Sequence, residues 1–296
     1  MNPGIEMPGV SVVMPFLNAA QFMDEAIESV LSQTLSGVEL LLIDDGSTDP
    51  STGLAREYAM RFPERVRYFE HAGHVNLGKS ASRNLGIAQA RGRYLAFLDA
   101  DDVFLPHKLA HQIDLLARHP EAVMVYGSTQ YWASWETGKL LLRRDKPGKL
   151  GVKTGRSYLP PDLLVAWLRA PGIVPCICGL LARTEVVRAT GAFDEQFRDL
   201  YEDQVFLVKL LMAGAVYVEA GCGERYRQHA GSSSALAVAA GQYHPRRSNP
   251  ARLKFLQWLQ RYLGERGYLS AELQRAVDRA LRPYADSFFQ RLGLFS

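Results

Sequence analysis

Residues 76–102 read NLGKSASRNLGIAQARGRYLAFLDADD. A glycine-lysine turn opens this stretch, Ser80–Ala90 follows with helical character, and the apolar run Tyr94–Leu98 leads directly into Asp99-Ala100-Asp101-Asp102. The same grammar holds on the upstream side. Val10–Phe16 (VSVVMPF) and Val38–Asp44 (VELLLID) are short apolar runs that read as buried strands. The first is ended by Pro15 and Asn18, the second by Asp45-Gly46-Ser47. Phe22, Ala26, Ile27, Val30 and Leu31 follow helical spacing, and residues 51–62 form a further helix. Val66–Glu70 and Ala122–Ser128 read as strands, and Pro106–Arg118 as a helix with proline near its first turn. Strands alternating with helices of about 10–15 residues predict an α/β fold, a mostly parallel sheet covered on both faces. Ligands of such sheets gather at the carboxyl ends of the strands. Asn18, Asp44-Asp45 and Asp99-Asp101-Asp102 each follow a strand.

Composition narrows the class. In 296 residues, 47% are hydrophobic and 22% charged, which excludes a disordered chain. A net charge of +3 is too balanced for a nucleic-acid binder, so no nucleic-acid partner is expected. No run approaches the roughly 18 apolar residues of a membrane span. Met1–Gly9 lacks the pattern of a secretory leader, and a cytoplasmic location is the expectation. Cys176-x-Cys178 and the remote Cys222 cannot supply the four ligands of a closed zinc site, so reduced thiols are expected. His107 and His111 lack the glutamate of a metalloprotease motif and read as a solvated helix face.

Three carboxylates in four residues, Asp99 to Asp102, repel one another unless a cation lies between them. Oxygen-only ligands suit Mg²⁺ or Mn²⁺. A plain helix cap before Pro106 is the competing reading. Asp44-Asp45-Gly46-Ser47-Thr48-Asp49 likewise reads either as a second acidic site or as an Asx-turn that caps the next helix. Gly73–Ser80 matches G-x-x-x-x-G-K-[ST], the phosphate cradle of P-loop NTPases. Only 20 residues separate Lys79 from Asp99, which leaves no room for intervening switch segments, and Lys79 then reads as an optional side chain beside a turn.

Taken together, VSVVMPFLNAA, VELLLIDDGSTD and NLGKSASRNLGIAQARGRYLAFLDADD resemble the nucleotide-binding half of the family 2 glycosyltransferases, which have the GT-A fold. Thr190-Gly191-Ala192-Phe193-Asp194-Glu195 is similar to that family's G-G-F-D-E segment, with alanine for the second glycine. Tyr201-Glu202-Asp203 is similar to its E-D pair, and Tyr226–His229 to its late Arg/His segment. The resemblance covers residues 9–235 and not the last 60.

This resemblance implies an inverting transferase that uses a nucleotide-sugar donor, most often UDP-linked, with Mn²⁺ or Mg²⁺. The acceptor would be a glycan or glycolipid of bacterial surface polysaccharide synthesis. It implies that Pro15 and Asn18 shape the base and ribose pocket, that Asp44 or Asp45 bonds the base, and that Gly78 allows close backbone approach. Arg83 would approach the nucleotide, Asp99 and Asp101 would lie at the ribose and metal, and His229 would lie near the metal or diphosphate. Asp203 would be the general base, oriented by Glu202. A P-loop-like NTPase and a non-catalytic nucleotide-sugar module are the alternatives.

The expected organisation is a GT-A domain over residues 1–235, with 9–129 binding donor and metal and 130–235 supplying base and acceptor pocket. Residues 130–160 read as loops or a hairpin. Residues 236–296 form a helical appendage, interrupted at Pro283. Residues 246–296 carry ten Lys+Arg against four Asp+Glu. Phe255, Trp258, Leu259 and Tyr262 beside those cations suggest core packing, dimerisation or contact with the inner face of a membrane.

Overall fold

The computed structural model describes residues 9–136, 144–170, 173–198, 200–244 and 248–291, the last seven as backbone only. Readings that fall on residues 1–8, 137–143 and 292–296 lie outside the described residues. The first half follows the expected alternation. β1 (Val10–Phe16), α1 (Met23–Leu31), β2 (Val38–Asp44), α2 (Ser51–Arg61), β3 (Val66–Glu70), α3 (Lys79–Gln89) and β4 (Tyr94–Phe97) come in that order. β1 pairs parallel with β2 on one side and β4 on the other. The polar residues after these three strands therefore meet on one edge of the sheet.

Alternating side chains of the central strands feed two cores. Val13, Leu41, Ile43 and Phe97 face one. Val12, Met14, Leu40 and Leu42 face the other, against Met23 and Ile27 of α1. On the first face α3 lies so close to β1 that a Cβ at Gly86 would meet Val13 at 2.4 Å. Only glycine permits that approach. Pro15 lacks an N–H to donate and is tolerated because pairing with β4 ends at Val13.

Beyond β4 the order becomes irregular. The chain continues through β5 (Val103–Phe104), α4 (Lys108–Arg118), β6 (Ala122–Tyr126), β7 (Gln130–Trp132), β8 (Lys146–Pro147), β9 (Arg156–Tyr158) and α5 (Asp162–Arg169). β10 (Leu180–Arg183), α6 (Thr184–Ala189), α7 (Glu202–Ala213), β11 (Ala215–Val218) and β12 (Glu224–Arg227) follow. The main sheet has the order β3-β2-β1-β4-β10-β6-β11-β9, with β10 antiparallel between β4 and β6. A small second sheet, β5-β12-β7-β8, holds β12 beside the turn that follows β4.

α8 (Ser233–Ala239), α9 (Pro250–Glu265) and α10 (Ala271–Arg291) complete the chain. α9 and α10 do not stand apart. Phe255, Leu256, Trp258, Leu259, Leu263, Leu273 and Val277 are buried in the same core as α5 and α7. The apolar residues of α9 offered above for a lipid surface or a dimer contact are thus consumed internally. α10 is also not interrupted by Pro283. Pro283 lies on the exposed side of the helix, where water can take the hydrogen bond that proline cannot make. Among the described residues no helix is long and apolar enough to cross a membrane.

Candidate active site

The turn after β4 gathers charge. One carboxylate oxygen each from Asp99, Asp101 and Asp102 lie within 4.8 Å of one another. Their fates differ. Asp99 receives Arg83 Nη2 at 2.7 Å. Burial alone would raise its pKa, but the Arg83 and Lys79 cations outweigh it and hold the carboxylate below its ordinary range. Asp101 is partly open and lies 2.9 Å from His229 Nε2. Asp102 is buried; its Oδ1 accepts the Arg227 backbone N–H, while its Oδ2 has no partner. Burial, then Asp101 and Asp99, push the Asp102 pKa well up. Two partly open carboxylates beside a histidine form an oxygen-rich donor set, and that chemistry fits a hard divalent cation.

Arg83 is buried among acids. Its side chain is 1% exposed and lies between Asp99 and Glu202, with Nη1 3.4 Å from the glutamate. Its guanidinium also stacks 5.2 Å from the Phe193 ring centroid. Lys79 lies one helical turn earlier on α3. Burial pulls its pKa down, but Asp99 and Glu202 outweigh this and keep it cationic. The i, i+4 spacing places Lys79 and Arg83 on one helix face.

Glu202 and Asp203 open α7. Glu202 is buried against Arg83. Asp203 keeps part of its surface open, yet it is enclosed deeply enough for burial, then Glu202, to raise its pKa to about 7 against the opposing pull of Arg83. Its Oδ1 accepts the Gln204 N–H at 2.7 Å. The two acids differ as a buried ion-pair partner and a partly open group that titrates near neutrality.

The Asp44–Asp49 segment is tightly hydrogen-bonded. Asp44 is fully buried and accepts from the Ser47 N–H, Thr52 hydroxyl and Tyr68 hydroxyl. Asp45 accepts the N–H groups of Leu77 and Gly78 at 2.8 and 3.0 Å. Both carboxylates are thus already engaged within the fold at the strand end where a base contact was expected. Pro15 is likewise buried within β1. Asn18 is exposed with φ +50°, and its Oδ1 accepts the Thr48 and Asp49 N–H groups. The Gly73–Ser80 loop is no phosphate cradle, because Leu77 and Gly78 spend their donors on Asp45. Gly78 has φ +93°, and a Cβ there would meet Arg198 Nε at 3.1 Å; its role is the turn itself.

Residues that sequence reasoning missed surround His229. Its ring stacks obliquely on Phe22 at 4.7 Å, beside Trp135. Arg227 donates through Nε to the Asp101 carbonyl and packs among Phe22, Trp132 and Trp135. Neither tryptophan follows a strand of the main sheet, so the strand-end rule could not find them. Tyr201, immediately before the acid pair, has φ +65° and carries no pattern that betrays it.

A family model described as "Glycosyl transferase family 2" matches residues 11–167. A sequence described as an uncharacterized glycosyltransferase from Rickettsia felis is 41% identical over 132 residues, covering 45% of this chain and 21% of that protein. The chain thus spans about a fifth of that relative's length. Among solved structures, S. aureus TarS 1–349 in complex with UDP-GlcNAc superposes with a TM-score of 0.62 at 17% identity, covering 92% of this chain and 79% of the other. A mannosyltransferase from Pyrobaculum calidifontis in complex with GDP-Man and Mn²⁺ gives 0.60 at 17% identity, covering 98% and 82%. At that identity the structural likeness establishes the fold, GT-A.

Proposed function

The chain belongs to glycosyltransferase family 2 and is a glycosyl-transfer enzyme, and from that premise we propose that it is an inverting, metal-dependent transferase with a UDP-sugar donor. Its acceptor is a hydroxyl of a glycan or glycolipid in surface polysaccharide synthesis, at the inner face of the membrane. Residues 9–129 bind donor and metal, and residues 130–235 supply the base and the acceptor pocket. The observation that carries this reading is the ion network Asp99–Arg83–Glu202, which joins the acidic strand end to the acid pair across the two halves.

Asp203, oriented by Glu202, takes the proton of the acceptor hydroxyl as that oxygen attacks the anomeric carbon. The bond to the diphosphate oxygen breaks on the opposite face, which inverts the centre. Lys79 and Arg83 offset the negative charge gathered at this edge of the sheet. Asp99 and Asp101, with His229 beside them, would hold Mn²⁺ or Mg²⁺, which supplies positive charge for the departing diphosphate. The S. aureus TarS complex with UDP-GlcNAc and the Pyrobaculum calidifontis mannosyltransferase complex with GDP-Man and Mn²⁺ support a nucleoside-diphosphate sugar as the donor class.

Thermal unfolding with UDP-glucose, UDP-galactose, UDP-N-acetylglucosamine and GDP-mannose, each with Mn²⁺ or with EDTA, tests the reading. A ligand at 100 times its Kd stabilises the native state by about 2.7 kcal/mol. The expected result is a rise for one UDP-sugar that needs Mn²⁺ and is not given by ATP or GTP. No rise with any sugar nucleotide, or the same rise in EDTA, contradicts it.

A further inference from the structure

We propose that α9 and Tyr201 form a positioning device for the Glu202–Asp203 pair, so that the C-terminal helices are part of the transferase machinery. The proposal rests on the reading of Asp203 as the base. α9 lies outside the 11–167 segment matched by the family model.

Tyr201 is the residue on which the chain turns into α7. Its backbone is left-handed, φ +65° and ψ +7°, and no side chain caps the helix there. A bulky aromatic rarely adopts this conformation, which persists only where the surroundings over-determine it. Here the surroundings are aromatic. The Tyr201 ring is buried and stacks on Phe255 of α9, with centroids 5.3 Å apart and planes 17° apart. Tyr243 closes its edge at 6.0 Å.

The same face of α9 grips the loop that leads to Tyr201. Trp258 Nε1 donates to Asp194 Oδ2 at 3.1 Å. Lys254 Nζ donates to the Gln196 carbonyl at 2.6 Å and lies 4.7 Å from the Phe197 ring centroid. Phe197 also packs edge-on against Trp258. From the other side, Ser80 of α3 donates to the Phe197 carbonyl at 2.6 Å. The loop is thus clamped between the donor half and α9. Its exit direction is set at Tyr201, one residue before Glu202 meets Arg83 and two before the partly open Asp203. α9 is itself fixed by its Asn249 cap, which accepts the Arg252 N–H at 2.9 Å.

A displacement of about 1 Å between reacting groups costs roughly 10²-fold in rate. Loss of the ring stack should therefore lower turnover and leave donor binding alone. The test uses the full chain in four variants: Phe255→Leu and Tyr201→Gly, which remove the stack, and Phe255→Tyr and Tyr201→Phe, which keep it. Tyr201→Gly leaves the left-handed backbone available. Turnover is read as nucleoside-diphosphate release, with water as acceptor, from the sugar nucleotide giving the largest thermal shift. Affinity for the nucleoside diphosphate with Mn²⁺ is read by calorimetry.

The expected result is a fall in kcat of about 10- to 100-fold for the stack-removing pair, affinity within about twofold of wild type, and near wild-type turnover for the stack-keeping pair. In an Asp203→Asn background Phe255→Leu should bring no further loss, since its effect passes through that carboxylate. Wild-type turnover in folded Phe255→Leu and Tyr201→Gly overturns the proposal, as does a loss matched by equal weakening of diphosphate binding. If one stack-removing variant fails to fold, the other decides by the same criteria. A fully active Asp203→Asn would instead remove the base assignment, so the two failures are told apart.

Discussion

Arg83 Nη2 lies 2.7 Å from Asp99 Oδ1, and the same guanidinium reaches Glu202 at 3.4 Å. One buried cation thus ties the strand-end acids to the pair on α7, which are more than a hundred residues away in sequence. Removing one member of a buried ion pair leaves the other uncompensated, typically at about 3–5 kcal/mol. Arg83→Ala should lower stability by that order in denaturant unfolding. Arg83→Lys should recover only part, because an ammonium cannot fork between two carboxylates. Unfolding midpoints unchanged by Arg83→Ala would mean that the bridge carries no weight.

Asp45 offers a sharper test of scaffold against ligand. Its carboxylate holds the Leu77 and Gly78 N–H groups. Asp45→Ala should cost about 1–3 kcal/mol, the usual consequence of stranding buried donors. Weaker UDP binding with full stability would instead mark Asp45 as a direct base contact.

The acidic strand end makes binding metal-dependent. Calorimetry should find UDP bound more tightly with Mn²⁺ than with EDTA, and Asp101→Asn should abolish most of that difference while the protein stays folded. Equal affinities in the wild type under both conditions would remove the metal assignment.

Lys79 separates two readings of one loop. Held cationic by Asp99 and Glu202, it should assist diphosphate binding without being indispensable. Lys79→Ala is expected to weaken UDP binding by about tenfold, or 1.4 kcal/mol. Complete loss of binding, together with hydrolysis of ATP by the wild type, would revive the P-loop reading.

Much of the first half was legible because its strands are long, apolar and separated by single helices. The acids after β4 stood out by their density, and Glu202-Asp203 by their similarity to the family's E-D pair. What the sequence does not show is which local partners the strand-end acids hold. Asp44 and Asp45 are spent on turn N–H groups and hydroxyls, an outcome local sequence shares with a binding site. Arg83 was found, but its partner Glu202 lies 119 residues away, and no periodicity reports such a contact. β10 went unseen because four residues inserted antiparallel leave no alternation to read. The apolar residues of α9 read more readily as core than as a lipid face, and tertiary packing places them in the core.

The central claim is that Asp203 is the base. Its pKa, raised to about 7 by burial and Glu202, gives the sign of the pH dependence. Below that value the carboxyl is protonated and cannot accept a proton, so kcat/KM should fall as pH drops through about 7 and level off above it. The most direct measurement is transfer by Asp203→Asn beside its affinity for UDP with Mn²⁺. The account predicts turnover reduced ~10²–10⁴-fold, the usual contribution of general acid–base catalysis, with UDP affinity unchanged. Near wild-type transfer by Asp203→Asn, with Glu202→Gln inactive, would contradict it and move the role to Glu202.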